Sequence, residues 1–109
     1  MKIDIAQLKF IHYKLREIIP WLEKAIGWEL TGTSLFRIND SGPHGTLPLR
    51  AVDIRIRDYD VGKAIEALVN KHWLYDYNRP LKPCALLHGK DSNMHLHLQS
   101  HPNTTKIRY

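Results

Sequence analysis

Two histidines separated by a single residue, His95 and His97, are the side chains of this sequence best suited to metal chemistry. They lie in the segment from Met94 to Gln99, in which apolar and polar residues alternate. Alternation is typical of a β-strand with one buried face, so both rings project from the other face, roughly 6.5 to 7 Å apart at the backbone. That separation is long for two ligands of one metal ion. It suits one ring on the metal and the other in contact with a metal-bound water.

A second alternating segment, Ala51 to Arg57, carries the acidic residue Asp53 among valine and isoleucine. A catalytic zinc ion takes three protein ligands from His, Asp or Glu and leaves one position to water, whose pKa falls to about 7. His44, Asp53 and His97 can supply such a set. The pattern therefore indicates a site for Zn²⁺.

Plainer interpretations of the same side chains stay open. Solvent-facing histidines are common, and an acidic residue inside a strand often forms a structural salt bridge, here to Arg50 or Arg55. His88, which precedes the turn leading to the two histidines, either reaches the cleft or lies on the surface. Cys84, the only cysteine, lies between a proline and apolar residues, which favours a buried packing residue over a nucleophile.

Apolar residues at helical spacing predict two helices. The first covers Leu8 to Ile26, with a kink or a break at Pro20. The second has Asp58 or Asp60 as its N-cap. Its predicted buried face consists of Val61, Ala64, Ile65, Leu68, Val69, His72 and Trp73.

Four further segments are predicted to be strands. They are Trp28 to Phe36, Ala51 to Arg57, Cys84 to Leu87 and Met94 to Gln99. The order of helices and strands predicts an α+β domain: a small, mainly antiparallel sheet with helices packed on one face and a zinc site on the other. The polar loop from Asn39 to Pro48 is expected to close over that site.

Length and composition limit the class of protein. A chain of 109 residues builds one core, so we expect a single domain spanning residues 1–109. The sequence contains neither the run of about 20 apolar residues that a membrane helix needs nor an N-terminal signal peptide. The net charge of +5 favours an anionic partner, but the basic residues are scattered and identify none.

Four segments, taken in order, resemble the motifs of the D-Ala-D-Ala metallopeptidases. They are Phe36-Arg37, Ser41-Gly42-Pro43-His44-Gly45, Arg50-Ala51-Val52-Asp53-Ile54-Arg55 and His95-Leu96-His97. That family shares its zinc fold with the hedgehog signalling domain and the penicillin-insensitive murein endopeptidases. The sequence is most similar to small phage-type proteins of the His-x-His branch, which carry a His-Gly-Thr-x-Pro-x-Arg-x-x-Asp-x-Arg segment. The resemblance covers Thr33 to Gln99.

The resemblance implies a role for each site residue. His44, Asp53 and His97 would be the zinc ligands. His95 would be the general base that deprotonates the metal-bound water and later protonates the leaving amine. Arg37 would hold the substrate carbonyl or the developing oxyanion. Eight residues separate His44 from Asp53, where the family usually has six, so the intervening loop must bulge.

The expected function is therefore that of a zinc metallopeptidase. It would cleave peptide bonds of peptidoglycan, as a D-Ala-D-Ala-type carboxypeptidase or an endopeptidase. Without a signal peptide, the protein would be made in the cytoplasm and reach the cell wall after phage-mediated release or as a virion component. We expect a monomer that binds neither nucleic acid nor a membrane. The alternative is a non-catalytic zinc-binding structural or binding module of phage or prophage origin. A basic nucleic-acid-binding domain, suggested by charge alone, is a third hypothesis.

Overall fold

The computed structural model of the protein describes residues 13–36, 50–89 and 93–107. Two helices lie in these ranges, α1 (Tyr13–Ile26) and α2 (Tyr59–His72). The strands are β1 (Gly32–Phe36), β2 (Ala51–Arg55), β3 (Trp73–Leu74), β4 (Ala85–His88), β5 (His95–Gln99) and β6 (Thr105–Lys106). The predicted α+β class is confirmed.

The strands form two antiparallel sheets. The larger sheet has the order β1-β2-β5-β4, and β3 pairs with β6 in the smaller one. In the larger sheet Val52 lies opposite Leu98 and Ile54 lies opposite Leu96. These apolar residues share one face, as the alternation predicted. The two short strands β3 and β6 were not among the predicted strands.

The helices cover the apolar face of the larger sheet and complete a single core. Its buried residues come from α1 (Leu15, Ile18, Ile19, Leu22), from the sheet (Val52, Ile54, Leu96, Leu98) and from α2 (Ile65, Val69). Within the described ranges, no helix is long and apolar enough to cross a membrane.

Helix α1 runs through Pro20 as one element and ends before Gly27, which has a φ of +83°. Glycine is the residue that best tolerates this left-handed conformation, and its N–H reaches the carbonyl of Glu23 at 2.9 Å. The Glu23 carboxylate also accepts the N–H of Leu30, at 2.7 Å. The prediction of a strand that starts at Trp28 is therefore wrong for residues 28–31. Leu30 is hydrogen-bonded to Glu23 of the helix, and β1 begins only at Gly32.

Helix α2 begins after Asp58, whose carboxylate accepts the N–H groups of Asp60 and Val61, as an N-cap does. Its buried face is rotated from the predicted one, because Val61 and Ala64 are exposed while Gly62 is buried. A Cβ added at Gly62 would lie 2.8 Å from Ile56 Cγ2 and 2.9 Å from Leu87 Cδ1. The missing side chain of this glycine is what lets the helix approach the sheet.

Two side chains of α2 bind the outer edge of β4. The Asn70 carboxamide accepts the N–H groups of Cys84 and Ala85, both at 3.0 Å, and donates to the Ala85 carbonyl at 2.8 Å. One turn earlier, Glu66 accepts the N–H of Leu87 at 2.7 Å. Because these backbone groups are already bonded, this edge of the sheet does not offer them to another strand.

The connection after β3 is fixed by a buried carboxylate. Asp76 accepts the N–H of Asn78 at 3.0 Å, Arg79 Nε at 2.9 Å and Asn103 Nδ2 at 3.1 Å. Nearby, the thiol of Cys84 is completely buried, as predicted for a packing residue. Its burial raises the pKa of Cys84 to about 12.

Candidate metal centre

The pairing of β2 with β5 places Asp53 directly opposite His97 on the polar face of the sheet. Both side chains are partly buried, with 21% of Asp53 and 17% of His97 exposed. The Oδ1 atom of Asp53 lies 3.3 Å from Nδ1 of His97. The structure thus brings together two of the three side chains that the sequence suggested as metal ligands.

His95 lies two residues before His97 on β5, so its side chain is on the same face of the sheet. Its Nε2 atom lies 3.9 Å from Oδ2 of Asp53, and its Nδ1 atom lies 2.9 Å from the carbonyl oxygen of Asn93. A carbonyl oxygen can only accept, so Nδ1 of the neutral ring carries the proton and donates it. The Nε2 atom then keeps its lone pair, which is the form required of a general base.

His88 also belongs to this cluster. It lies opposite His95 in the register of β4 and β5, and the two rings stack with centroids 5.7 Å apart and an interplanar angle of 29°. Its centroid is 6.3 Å from that of His97, with the rings nearly perpendicular at 80°. His88 is exposed and shares the sheet face with His95 and His97.

Two neighbours of His97 were missed by the sequence analysis. Gln99 Oε1 lies 3.1 Å from His97 Nε2, and Leu86 lies opposite His97 with 40% of its surface exposed. Gln99 follows His97 by two residues, so the alternation already placed it on the same face. Leu86 gave no comparable signal, because its register against β5 depends on the turn between the strands.

The remaining predicted site residues, Arg37 and His44, lie outside the described residues. Within residues 13–36, 50–89 and 93–107, no three His, Cys, Asp or Glu side chains are placed to hold one metal ion. Asp53 and His97 together therefore provide two donors, one carboxylate oxygen and one imidazole nitrogen.

The separation of those two donors fits zinc. Zinc ligands lie about 2.0 to 2.1 Å from the metal, so two donors at tetrahedral positions lie about 3.3 Å from each other. The observed distance between Asp53 Oδ1 and His97 Nδ1 is 3.3 Å. The commonest N–H···O hydrogen bonds are shorter, at about 2.9 to 3.0 Å. The pair supplies two donors of the types that zinc binds, at a separation that also matches the hydrogen bond or ion pair between them.

A cavity of about 290 Å³ opens beside this cluster, at the end of β2. Its lining includes Trp28, Arg55, Arg57 and Val61. Arg55 lies opposite His95 in the strand register, so the cavity adjoins the histidine cluster through this residue. No histidine lines the cavity, and Asp53, His95 and His97 lie on the polar face of the sheet.

Comparisons of the chain with protein-family models, with curated proteins and with solved structures find no match. The family resemblance of the sequence motifs therefore stays a prediction. A functional assignment must depend on the arrangement of Asp53, His95 and His97 and on the chemistry that these groups can perform.

Proposed function

We propose that this protein is a zinc-dependent hydrolase that cleaves peptide bonds of peptidoglycan. The observation that carries the proposal is the 3.3 Å contact between Asp53 Oδ1 and His97 Nδ1, with His95 beside it on the same sheet face. The resemblance of the sequence motifs to D-Ala-D-Ala metallopeptidases supplies the substrate class. It also suggests cleavage as a carboxypeptidase or an endopeptidase.

Asp53 and His97 would hold the zinc ion, with His44 as the third ligand implied by the resemblance. A bound zinc ion would polarise the substrate carbonyl and lower the pKa of a water molecule to about 7. The partial burial of both side chains favours metal binding, because fewer water molecules compete for their donor atoms.

His95 would be the general base. Its Nδ1 proton is bound by the Asn93 carbonyl at 2.9 Å, so the free lone pair is on Nε2, which faces the Asp53 carboxylate from 3.9 Å. The ring can therefore take up a proton at Nε2 next to the metal ligands. It can return that proton to the amine that leaves when the peptide bond breaks.

The surroundings of the cluster suit a peptide. Leu86 offers an exposed apolar surface opposite His97, and the cation of Arg55 lies across from His95. Arg37 would add a second cation for the substrate carbonyl, as the resemblance implies. We further propose that the protein meets the wall after phage-mediated release or as a virion component.

Zinc content and wall digestion, measured on the same protein samples, test this proposal. Wild-type protein should contain about one zinc ion per chain and release peptide fragments or free amino acid from purified peptidoglycan. Asp53→Ala should lose both zinc and activity. His95→Ala should keep its zinc and lose about 10²- to 10⁴-fold in rate, which is the usual contribution of a general base.

Two results would count against the proposal in different ways. Zinc-loaded wild-type protein that cleaves no wall peptide would favour the non-catalytic zinc-binding module instead. Wild-type protein that binds no zinc would remove the metal site altogether. Ala64→Ser, at an exposed position of α2 away from the cluster, should keep both zinc and activity and is the control in these assays.

A further inference from the structure

The orientation of the Gln99 carboxamide is fixed by its contact with Pro83. The Pro83 carbonyl oxygen lies 2.6 Å from Nε2 of Gln99. A carbonyl can only accept a hydrogen bond, so the amide nitrogen must face it and the amide oxygen must point the other way. That oxygen lies 3.1 Å from Nε2 of His97.

The same reasoning fixes the proton of His97. An amide oxygen only accepts, so His97 Nε2 must carry the hydrogen that forms this bond. A neutral imidazole has one N–H, which leaves a lone pair on Nδ1. In this neutral tautomer, that lone pair faces Asp53 Oδ1 at 3.3 Å. A divalent cation between the two atoms would be bound by both of them.

We infer that Gln99 is a positioning residue for the metal site, which fixes the tautomer and orientation of His97 and so presents Nδ1 to a divalent cation shared with Asp53. This inference rests on the proposed function. Histidines that bind metals commonly donate their other N–H to an acceptor, which orients the ring and raises its basicity as a ligand. Here the acceptor is a side chain that is itself held by the Pro83 carbonyl.

The backbone keeps this chain of contacts in place. The N–H of Gln99 donates to the carbonyl of Cys84 at 2.8 Å, directly after Pro83 in the sequence. Across β2, Gln99 lies opposite Ala51, whose small side chain leaves room on this face for the longer carboxamide. The backbone N–H and the side-chain amide of Gln99 are thus both bound to the segment that leads into β4.

Zinc affinity tests the inference. Metal-free full-length protein would be titrated with zinc chloride in competition with a chromophoric chelator. Gln99→Leu, which keeps much of the side-chain volume but has no acceptor, should weaken zinc binding by about 10- to 100-fold. Gln99→Glu keeps an acceptor for the His97 proton but loses the donor to Pro83, so it should weaken zinc binding less than Gln99→Leu does. Wild-type affinity in the leucine variant would overturn the inference.

The tautomer of His97 can be measured without zinc or activity. Long-range ¹H–¹⁵N spectra of the metal-free wild-type protein at pH 8 should show the proton of His97 on Nε2. A proton on Nδ1 would overturn the inference whether or not the leucine variant folds. If wild-type protein has the Nε2 proton but binds no zinc, the proposed function fails while the role of Gln99 in setting the tautomer holds.

Discussion

The rings of His88 and His95 stack across the β4–β5 pair, with centroids 5.7 Å apart and planes inclined by 29°. The Asn93 carbonyl holds the edge of the His95 ring, and His88 covers one of its faces. Together these contacts limit the positions that the proposed general base can take. If the proposed function holds, we expect His88 to act by positioning His95 and not as a metal ligand.

Replacement of His88 by alanine should lower kcat roughly 10-fold, because a misplaced catalytic group loses rate steeply with distance. Zinc content should not change. His88→Phe keeps an aromatic ring over His95 and should recover most of the rate. Steady-state kinetics on a wall peptide, with zinc measured on the same samples, checks this. Loss of zinc from the alanine variant would contradict the stacking role, since His88 would then be a ligand.

Loss of the Asn70 carboxamide should destabilise the protein. Asn70→Leu leaves the N–H groups of Cys84 and Ala85 without their acceptor, and each unsatisfied buried group costs about 1 to 3 kcal/mol. We expect the free energy of unfolding in urea to fall by about 2 to 4 kcal/mol. Amide hydrogen exchange at Cys84 and Ala85 should accelerate more than exchange in α1.

Ala64→Ser, at an exposed position of the same helix, is the control for that variant. It should change stability by less than about 0.5 kcal/mol. An Asn70→Leu variant as stable as this control would show that water, rather than Asn70, can satisfy the edge of β4.

Gly62→Ala should also be destabilising, although alanine is the better helix former. The new methyl group would lie 2.8 Å from Ile56 Cγ2. Overpacking of this kind costs about 1 to 3 kcal/mol, against a gain of about 1 kcal/mol in helix propensity. We expect a net loss of about 1 kcal/mol in the free energy of unfolding. Ala64→Gly measures the propensity effect alone, and a stabilised Gly62→Ala variant would contradict the close packing.

Because of the Asp76 carboxyl, the free energy of unfolding should fall at low pH. The hydrogen bond from the Asn78 N–H lowers the pKa of Asp76 most, against the opposing effect of burial, and bonds from Asn103 and Arg79 lower it further, to about 2. In the unfolded chain the pKa is near 3.8. Since the folded value is the lower one, the stabilisation is complete above pH 3.8 and is lost as the pH falls through 2.

Urea unfolding of wild-type protein and Asp76→Asn between pH 7 and pH 2 measures this effect. The difference in stability between the two proteins should be constant at neutral pH and shrink below pH 4. Carboxyl chemical shifts of Asp76 in a ¹³C NMR titration give its pKa directly. A midpoint near 4 would show that the hydrogen bonds to Asp76 do not favour its charged form.

The alternating strands could be predicted because the apolar or polar character of each residue shows which face of the sheet its side chain lies on. Val52 and Ile54 lie in the core while Asp53 lies on the polar face, as the pattern of β2 required. The same reasoning placed His95 and His97 beside Asp53. Here local sequence was sufficient, since the period of two fixes the face of every residue once one face is buried.

The rotation of α2 could not be predicted from apolar residues alone. Val61 counted as buried in the helical pattern but is exposed, because the contact with the sheet is made by Gly62, which adds no hydrophobic signal. The pairing of β3 with β6 was also missed, since strands of two residues are too short to show alternation. The proton position that we infer for His97 depends on Pro83, which lies 14 residues away in the chain.

The buried thiol of Cys84 affects how the protein would behave outside a reducing cell. Disulfide exchange and oxidation begin with a thiolate, and a thiol with a pKa of about 12 is almost entirely protonated at neutral pH. The side chain is also shielded from oxidants, with none of its surface exposed. The folded protein can therefore meet an oxidising environment without covalent linkage between its copies.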